Sequence, residues 1–307
     1  MFVLRPERIV VPLIPECSSC IIHSLIKLVP LLTDDADLQF EMMRIGMRYL
    51  AEGFEKRIRP HPLSVDLYHE LYRMAGVEDP YAETKRESTE VALRILPEVD
   101  ATVRSFSGLE RLRAALAASI AGNLIDYNTA AHSPNLDTLV DDFNGILQHG
   151  IDVDDSPLLW QALRARHGHI VFVADNAGET ILDIPLLRVI RDAGWHITYV
   201  VKGGPMANDA TRRDIAGTEI EELATIADTG AAAHGVPPNL VSQEFLSLLS
   251  GADLVIAKGQ SNVETLPTLQ AQLGVVAFYV LRGKCDNIAH ALGAKRGDNI
   301  VLRWPGE

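Results

Sequence analysis

The chain is short of cysteine, of basic residues and of long apolar runs, and each shortage closes off a class of function. Three cysteines in 307 residues, an odd number, do not make a disulfide framework. No apolar stretch approaches the length needed to cross a bilayer. Pro6, Glu7, Pro12, Pro15 and Glu16 interrupt the first residues, so they do not read as a signal peptide. A cytoplasmic location is the expectation. Only 28 Lys and Arg stand against 41 Asp and Glu, a net charge of −13. Such a field repels nucleic acid and anionic membranes, and neither is expected as a partner. It also repels an anionic substrate, so a phosphate site here must be locally positive, through a cation, Lys, Arg or helix N-termini. A Walker loop is absent too, which disfavours a kinase or NTPase of that type. There is no internal repeat and no low-complexity segment.

What remains is an ordinary globular composition, 47% hydrophobic and 22% charged, long enough for one large core or two modest ones. The two halves differ in texture. Apart from a short apolar run at 9–11, residues 1–165 read as helical. Helices are predicted at about 18–32, 35–57, 64–75, 81–95, 107–128, 134–147 and 157–166. Pro30, Pro60, Pro62, Pro80, Pro97 and Pro157 lie at or near the breaks. From residue 169 strand-like runs alternate with helix-like segments. The runs are 170–174, 197–201, 254–257 and 275–280, with a short one at 299–303 as a candidate edge strand. The helix-like segments include 179–193, 207–216, 240–250 and 263–272. That alternation indicates βαβ units and a parallel sheet. The expected fold class is α/β: a Rossmann-like α/β/α three-layer core with a mainly parallel sheet at 166–307, plus an N-terminal helical subdomain at 1–165. A cleft is expected between the two.

Three strand ends carry polar residues, and in a parallel sheet those ends share one edge. The first gives Asp175 and Asn176, followed by Gly178 and Glu179. The second gives Lys202, Gly203, Gly204, Asn208 and Asp209, and the third Lys258, Gly259, Gln260, Ser261, Asn262 and Glu264. Asp175, Asn176 and Asp209 offer hard oxygen ligands for a divalent cation. Lys258 and the backbone amides of 258–262 offer a phosphate cradle at a helix N-terminus. The competing readings are structural: Asp175, Asn176 and Asp209 as helix caps, and Lys258 as a solvated loop lysine. Asn123 and Asp126 are three apart, so both can face one direction, or Asn123 simply ends a helix. Lys284, just past a predicted strand, is a candidate second phosphate cation. Cys17 and Cys20 form a lone CxxC, and Cys285 is the third thiol. They read as buried inert cysteines or as a thiol site selecting zinc or iron.

Taken together, Val173-Ala174-Asp175-Asn176-Ala177-Gly178-Glu179, Gly204-Pro205-Met206-Ala207-Asn208-Asp209-Ala210-Thr211 and Lys258-Gly259-Gln260-Ser261-Asn262-Val263-Glu264-Thr265 resemble the damage-control phosphatase family, also filed as domain of unknown function 89. Asp79-Pro80-Tyr81-Ala82-Glu83-Thr84-Lys85-Arg86-Glu87-Ser88 and Gly122-Asn123-Leu124-Ile125-Asp126 fit the same order. The Cys17–Cys20 motif and the Lys284-Cys285 pair look like its prokaryotic, CxxC-bearing branch. The resemblance implies a divalent metal ion (Mg²⁺, Mn²⁺, Co²⁺ or Ni²⁺) on Asp175, Asn176 and Asp209. It implies phosphate binding by Lys258 and its neighbours Gly259, Gln260, Ser261 and Asn262, with Asn123 and Asp126 lining the same cleft and Lys284 matching a C-terminal lysine. The expected activity is hydrolysis of a small phosphomonoester, a sugar phosphate or a damaged phosphometabolite, with Asp175 and Lys258 as catalytic groups. The rivals are a thiol-metal or redox module on Cys17, Cys20 and Cys285, a carboxyl methyltransferase using S-adenosylmethionine, and a haloacid-dehalogenase-type phosphatase at Asp152 and Asp154. The methyltransferase needs a glycine-rich turn, where this chain has Asp-Asn-Ala-Gly.

Overall fold

The computed structural model describes residues 9–125 and 135–304. Seven helices precede the main run of strands: α1 (Cys17–Leu32), α2 (Ala36–Glu55), α3 (Pro60–Ala75), α4 (Ala82–Ser105), α5 (Gly108–Gly122), α6 (Leu139–His149) and α7 (Ser156–Ala165). The strands are β1 (Val153–Asp154), β2 (His169–Val173), β3 (His196–Val201), β4 (Thr225–Asp228), β5 (Leu254–Lys258), β6 (Ala277–Arg282) and β7 (Asn299–Trp304). Between them run α8 (Ala177–Asp192), α9 (Arg212–Ile215), α10 (Ile220–Leu223), α11 (Gln243–Ser250), α12 (Gly259–Leu273) and α13 (Asp286–Ala291).

The strands form one seven-stranded sheet in the order β1-β7-β6-β5-β2-β3-β4. Every pair is parallel except β6 with β7. The chain leaves β2 toward β3 and β4, then returns to place β5 on β2's other side. The switch point between β2 and β5 is where an open α/β sheet leaves a crevice at its carboxyl edge. Side chains alternate across the sheet as the pleat requires. Ile170 and Phe172 pack with α4, α5 and α8, while Val171 and Val173 pack with α11, α12 and α13. The fold class is α/β with a sheet between two helical layers, as the alternating texture predicts. A third apolar cluster joins α1, α2 and α3 to Met206, Ala207, Ala231 and Ala233. The first three helices therefore sit over the loops that follow β3 and β4.

Helix α8 explains how the site is held. Ala177 to Leu187 are all buried, Glu179, Thr180 and Asp183 included. The helix is covered on one side by the sheet and on the other by α4 and the alanine-rich α5. Small side chains at Ala114, Ala115, Ala117, Ala118 and Ala121 let α5 approach closely enough to bring Asn123 to the β2 end. Gly178 is needed for the approach of α4, because a Cβ there would lie 2.8 Å from the Ser88 backbone.

Several predicted elements differ from the structure. Residues 9–11 form no strand, though Ile9 and Val11 are buried against the sheet. Helix α3 begins at Pro60, whose missing N–H costs nothing in a first turn. Helix α4 runs through Pro97 to Ser105. The run near 299–303 is not an edge strand: β1, which the alternation did not reveal, pairs with it on its outer side. Asp154 accepts from Arg113 at 2.8 Å and from the Ser156 N–H at 2.9 Å, and Asp152 accepts from the Asn299 N–H at 2.8 Å, so both carboxylates serve local structural bonds. Among the described residues no helix is long and apolar enough to cross a membrane.

Gly178→Ala is expected to destabilise the protein by about 1–3 kcal/mol through overpacking against Ser88. Urea denaturation measures this, and a loss below about 0.5 kcal/mol would mean that α4 and α8 have room to part.

Candidate active site

The β2 strand ends at Val173, and the chain runs on through Ala174 to place Asp175 and Asn176, both buried, at the carboxyl edge. The segment after β3 does not continue into the predicted helix at 207–216. It folds back over β2 instead, leaving only α9 as helix. The Ala177 N–H donates to Asn208 O at 2.9 Å and the Ala210 N–H to Asp175 O at 2.8 Å, with a bridge pairing Asn176 and Asp209. This fold-back sets Asp209 beside Asp175 and Asn176. Ala207 takes a left-handed φ of 47°, a conformation that disfavours any residue with a Cβ. The Tyr72 hydroxyl of α3 holds it by accepting from the Ala207 N–H at 3.1 Å.

Asn123 ties this edge together. Its amide donates to Asp175 Oδ2 at 3.2 Å and to Glu179 Oε1 and Oε2 at 3.2 and 3.0 Å, while its Oδ1 accepts from the Arg282 N–H at 3.2 Å. Asn176 donates to Asp175 Oδ2 at 3.3 Å and Glu179 Oε2 at 3.1 Å. Burial pushes the Asp175 carboxyl well above its usual range. The charges of Glu179 and Asp209 push the same way, while Lys284 and Lys202 oppose them. Gly259 closes the floor: with φ at +76°, a Cβ there would lie 1.8 Å from Asp175 Oδ2.

Lys258 does not sit where the resemblance implies. Its ammonium is wholly buried, donating to Ser119 O at 2.9 Å, to Asp183 Oδ1 at 3.1 Å and to Glu179 Oε1. These three acceptors match its three N–H groups. Burial disfavours its charge, but Asp183 and Glu179 outweigh that and raise its pKa. Asp183 is further held by Ser119 Oγ at 2.6 Å and the Tyr199 hydroxyl at 2.7 Å. The 259–262 segment is the first turn of α12, and no side chain caps that helix. Asn262 donates to Ala174 O and Lys258 O, so its amide braces the turn. Lys202, also buried, donates to Ala174 O and Gly235 O at 3.3 Å and lies 3.8 Å from Asp209 Oδ2. Asp126 lies outside the described residues.

This network leaves two buried oxygens without a hydrogen-bond partner, Asn262 Oδ1 and the charged Asp209 Oδ2. Lys202 at 3.8 Å and His234 Nδ1 at 3.5 Å are near, but neither forms a hydrogen bond with it. A buried carboxylate oxygen without a donor suits a cation. Among the described residues no three His, Cys, Asp or Glu side chains are grouped to hold a metal ion. The fitting donor set is two carboxylates and one amide, all oxygen. The same finding leaves Cys17, Cys20 and Cys285 without a thiol-metal site, and burial pushes the Cys17 and Cys285 thiols up, away from the thiolate.

Sequence reasoning named Glu179 and Lys202 without giving them a role and passed over Asp183 and His234. Glu179 and Asp183 did leave a signal. They are charged residues one turn apart in the largely apolar first three turns of α8, which calls for a buried partner. Lys258→Met should therefore strand two buried carboxylates and cost on the order of 3–5 kcal/mol. Urea denaturation at neutral pH checks it; a loss under about 1 kcal/mol would mark Lys258 as solvated and free to serve elsewhere.

Residues 13–300 match the Damage-control phosphatase ARMT1-like domain. The chain is 33% identical to the uncharacterized protein MJ0202 of Methanocaldococcus jannaschii, over 94% of either chain. It is 30% identical to the damage-control phosphatase PH1575 of Pyrococcus horikoshii, over 94% of this chain and 96% of that one. A damage-control phosphatase of Archaeoglobus fulgidus is also 30% identical, over 94% and 97%. The crystal structure of a DUF89 family protein from Pyrococcus horikoshii superposes with a TM-score of 0.80 at 29% identity, covering 95% of this chain and 99% of that one. With its carboxylate-and-amide cluster at the switch point of a mostly parallel sheet, the chain belongs to the ARMT1-like damage-control phosphatase family.

Proposed function

We propose that the protein hydrolyses a small phosphomonoester, a sugar phosphate or a damaged phosphorylated metabolite, with a divalent ion held by Asp175, Asn176 and Asp209. The observation that carries this reading is the buried, unbonded Asp209 Oδ2 next to Asp175 and Asn176. When bound, Mg²⁺, Mn²⁺, Co²⁺ or Ni²⁺ would supply charge neutralisation for a phosphoryl group. The uncapped first turn of α12, with Gly259, Gln260 and Ser261, offers backbone N–H groups to phosphate oxygens. Lys284, near enough to Asp175 to act on its charge, supplies a cation on the same side. Lys258 takes a different role from the one the resemblance implies: it is a positioning residue, fixing Glu179 and through it the amides that hold Asp175. Asp175 Oδ2 already accepts from Asn123 and Asn176, which favours attack by water over attack by this carboxylate. The substrate would enter between the sheet edge and the helices α1, α2 and α3.

The deciding assay is phosphate release from a phosphomonoester panel on metal-stripped protein, with each ion added back in turn. Release is expected only with added ion, and Asp209→Ala is expected to abolish it while the protein stays folded by circular dichroism. Folded wild-type protein that releases no phosphate with any ion would end this reading.

A further inference from the structure

The far end of α8 borders a cavity of about 340 Å³. Helix α8 is 16 residues long, so about 24 Å of helix separates this cavity from Asn176. None of the residues proposed to hold the ion or the phosphate lines it. Its walls come from α5, α7, the loop after α7 and the end of α8.

Part of the lining is apolar. Leu163 and Val189 are buried, and Trp160 is half-buried and adds a flat indole. The charged part is basic, in a chain of net charge −13: Arg111 and Arg164 stand against a single acid, Asp192. Arg164 lies over the Trp160 ring at 5.8 Å and makes no ion pair among the described residues. Arg111 is only partly satisfied. Its Nη2 lies 2.9 Å from Asp192 Oδ2, while its Nε–H is buried without an acceptor. Leaving such a donor unpaired is unfavourable. Arg111 also borders a second cavity with Arg104 and Arg188, but those two are committed to Asp100 and Glu219. His167 ties the wall to the end of α8, its Nδ1 3.1 Å from Ala193 O.

We propose that this cavity is a second ligand site, for a small anion with a flat apolar body, of the class of aromatic carboxylates. The ring lies against Trp160, Leu163 and Val189. The carboxylate meets the Arg111 guanidinium in competition with Asp192, with Arg164 beside it. Small-molecule sites combine this size with a largely apolar lining and a few polar groups. A guanidinium holds a carboxylate by two parallel bonds, which fixes its direction. Inorganic phosphate would leave the apolar lining uncovered, and a neutral aromatic would leave the Arg111 donor unpaired. The two features together select a ligand that carries both.

Trp160 makes the site observable. The chain has three tryptophans, and of these Trp160 lines the cavity while Trp304 lies on β7. The full chain, with its tryptophans labelled with nitrogen-15, is titrated with naphthoate and separately with naphthamide, which has the same ring and no charge. The Trp160 indole resonance, identified by its absence in Trp160→Phe, is expected to move saturably while that of Trp304 stays in place. Naphthoate should bind at least about tenfold more tightly than naphthamide, and Arg111→Met should remove most of that preference. Asp209→Ala should bind naphthoate as wild type does, since the ion site lies at the other end of α8. No saturable movement at Trp160, or equal binding of the two probes, would overturn the proposal. Both are read on wild type, so they hold even where Arg111→Met fails to fold. Naphthoate binding lost in folded Asp209→Ala would put the probe at the sheet edge and overturn it as well. The phosphatase reading stands or falls separately, on phosphate release.

Discussion

The Lys258 ammonium is the constraint on which the site depends. It sits with no exposed surface at the end of β5, between two carboxylates of α8 and a carbonyl of α5. A charge in that position is tolerable only with its partners in place, since a lone buried ion costs several kcal/mol. The strand and both helices are therefore fixed relative to one another. The order passes outward along a continuous path. Lys258 holds Glu179, Glu179 accepts from Asn123 and Asn176, and those two amides donate to Asp175. A rigid scaffold behind the reacting groups is what preorganised chemistry requires.

The sequence made the sheet legible where strands are apolar throughout. Runs at 170–174 and 254–257 can only be strands buried on both faces, and their polar ends located Asp175, Asn176 and the Lys258 turn. It was silent where pairing alone defines the strand. Val153 and Asp154 gain their conformation from β7, and Thr225–Asp228 is half-exposed without a strong pattern. The burial of Lys258 was missed for a related reason. A lysine before a glycine looks like a loop cation, and only the three-dimensional packing shows that α8 brings two carboxylates to it. Asp209 does lie beside Asn176, but by a route that the apolar pattern did not reveal. The predicted helix gives way because Asn208 and Ala210 bond across to Ala177 and Asp175, while the Lys202 N–H donates back to Ala210 O.

The helical half contributes more than cover. Tyr72 of α3 holds the left-handed Ala207 two residues before Asp209, so the helix sets the geometry of the turn. Burial holds the His61 ring down to about 4, so it stays neutral and contacts the His234 carbonyl. Lys85, buried between Asp79 and Asp214, ties α4 to the start of α9. These contacts fasten the N-terminal helices to the loops that carry Asp209 and His234, and they explain why the Asp79–Ser88 motif travels with the strand-end motifs in this chain.

Local charge resolves the conflict between an acidic protein and an anionic substrate. Four buried carboxylates, Asp175, Glu179, Asp183 and Asp209, face three buried lysines, Lys202, Lys258 and Lys284. With all of them ionised, the cluster carries one negative charge in excess and would repel phosphate. A divalent ion reverses that sign. Held by Asp175, Asn176 and Asp209 as proposed, such an ion would also favour the ionised Asp175, which burial beside Glu179 and Asp209 otherwise resists. Lys202 and Lys258 are placed against carboxylates, which leaves Lys284 as the lysine of the three proposed to meet phosphate. On this balance the proposed ion would act first on the approach of phosphate, before any question of chemistry arises.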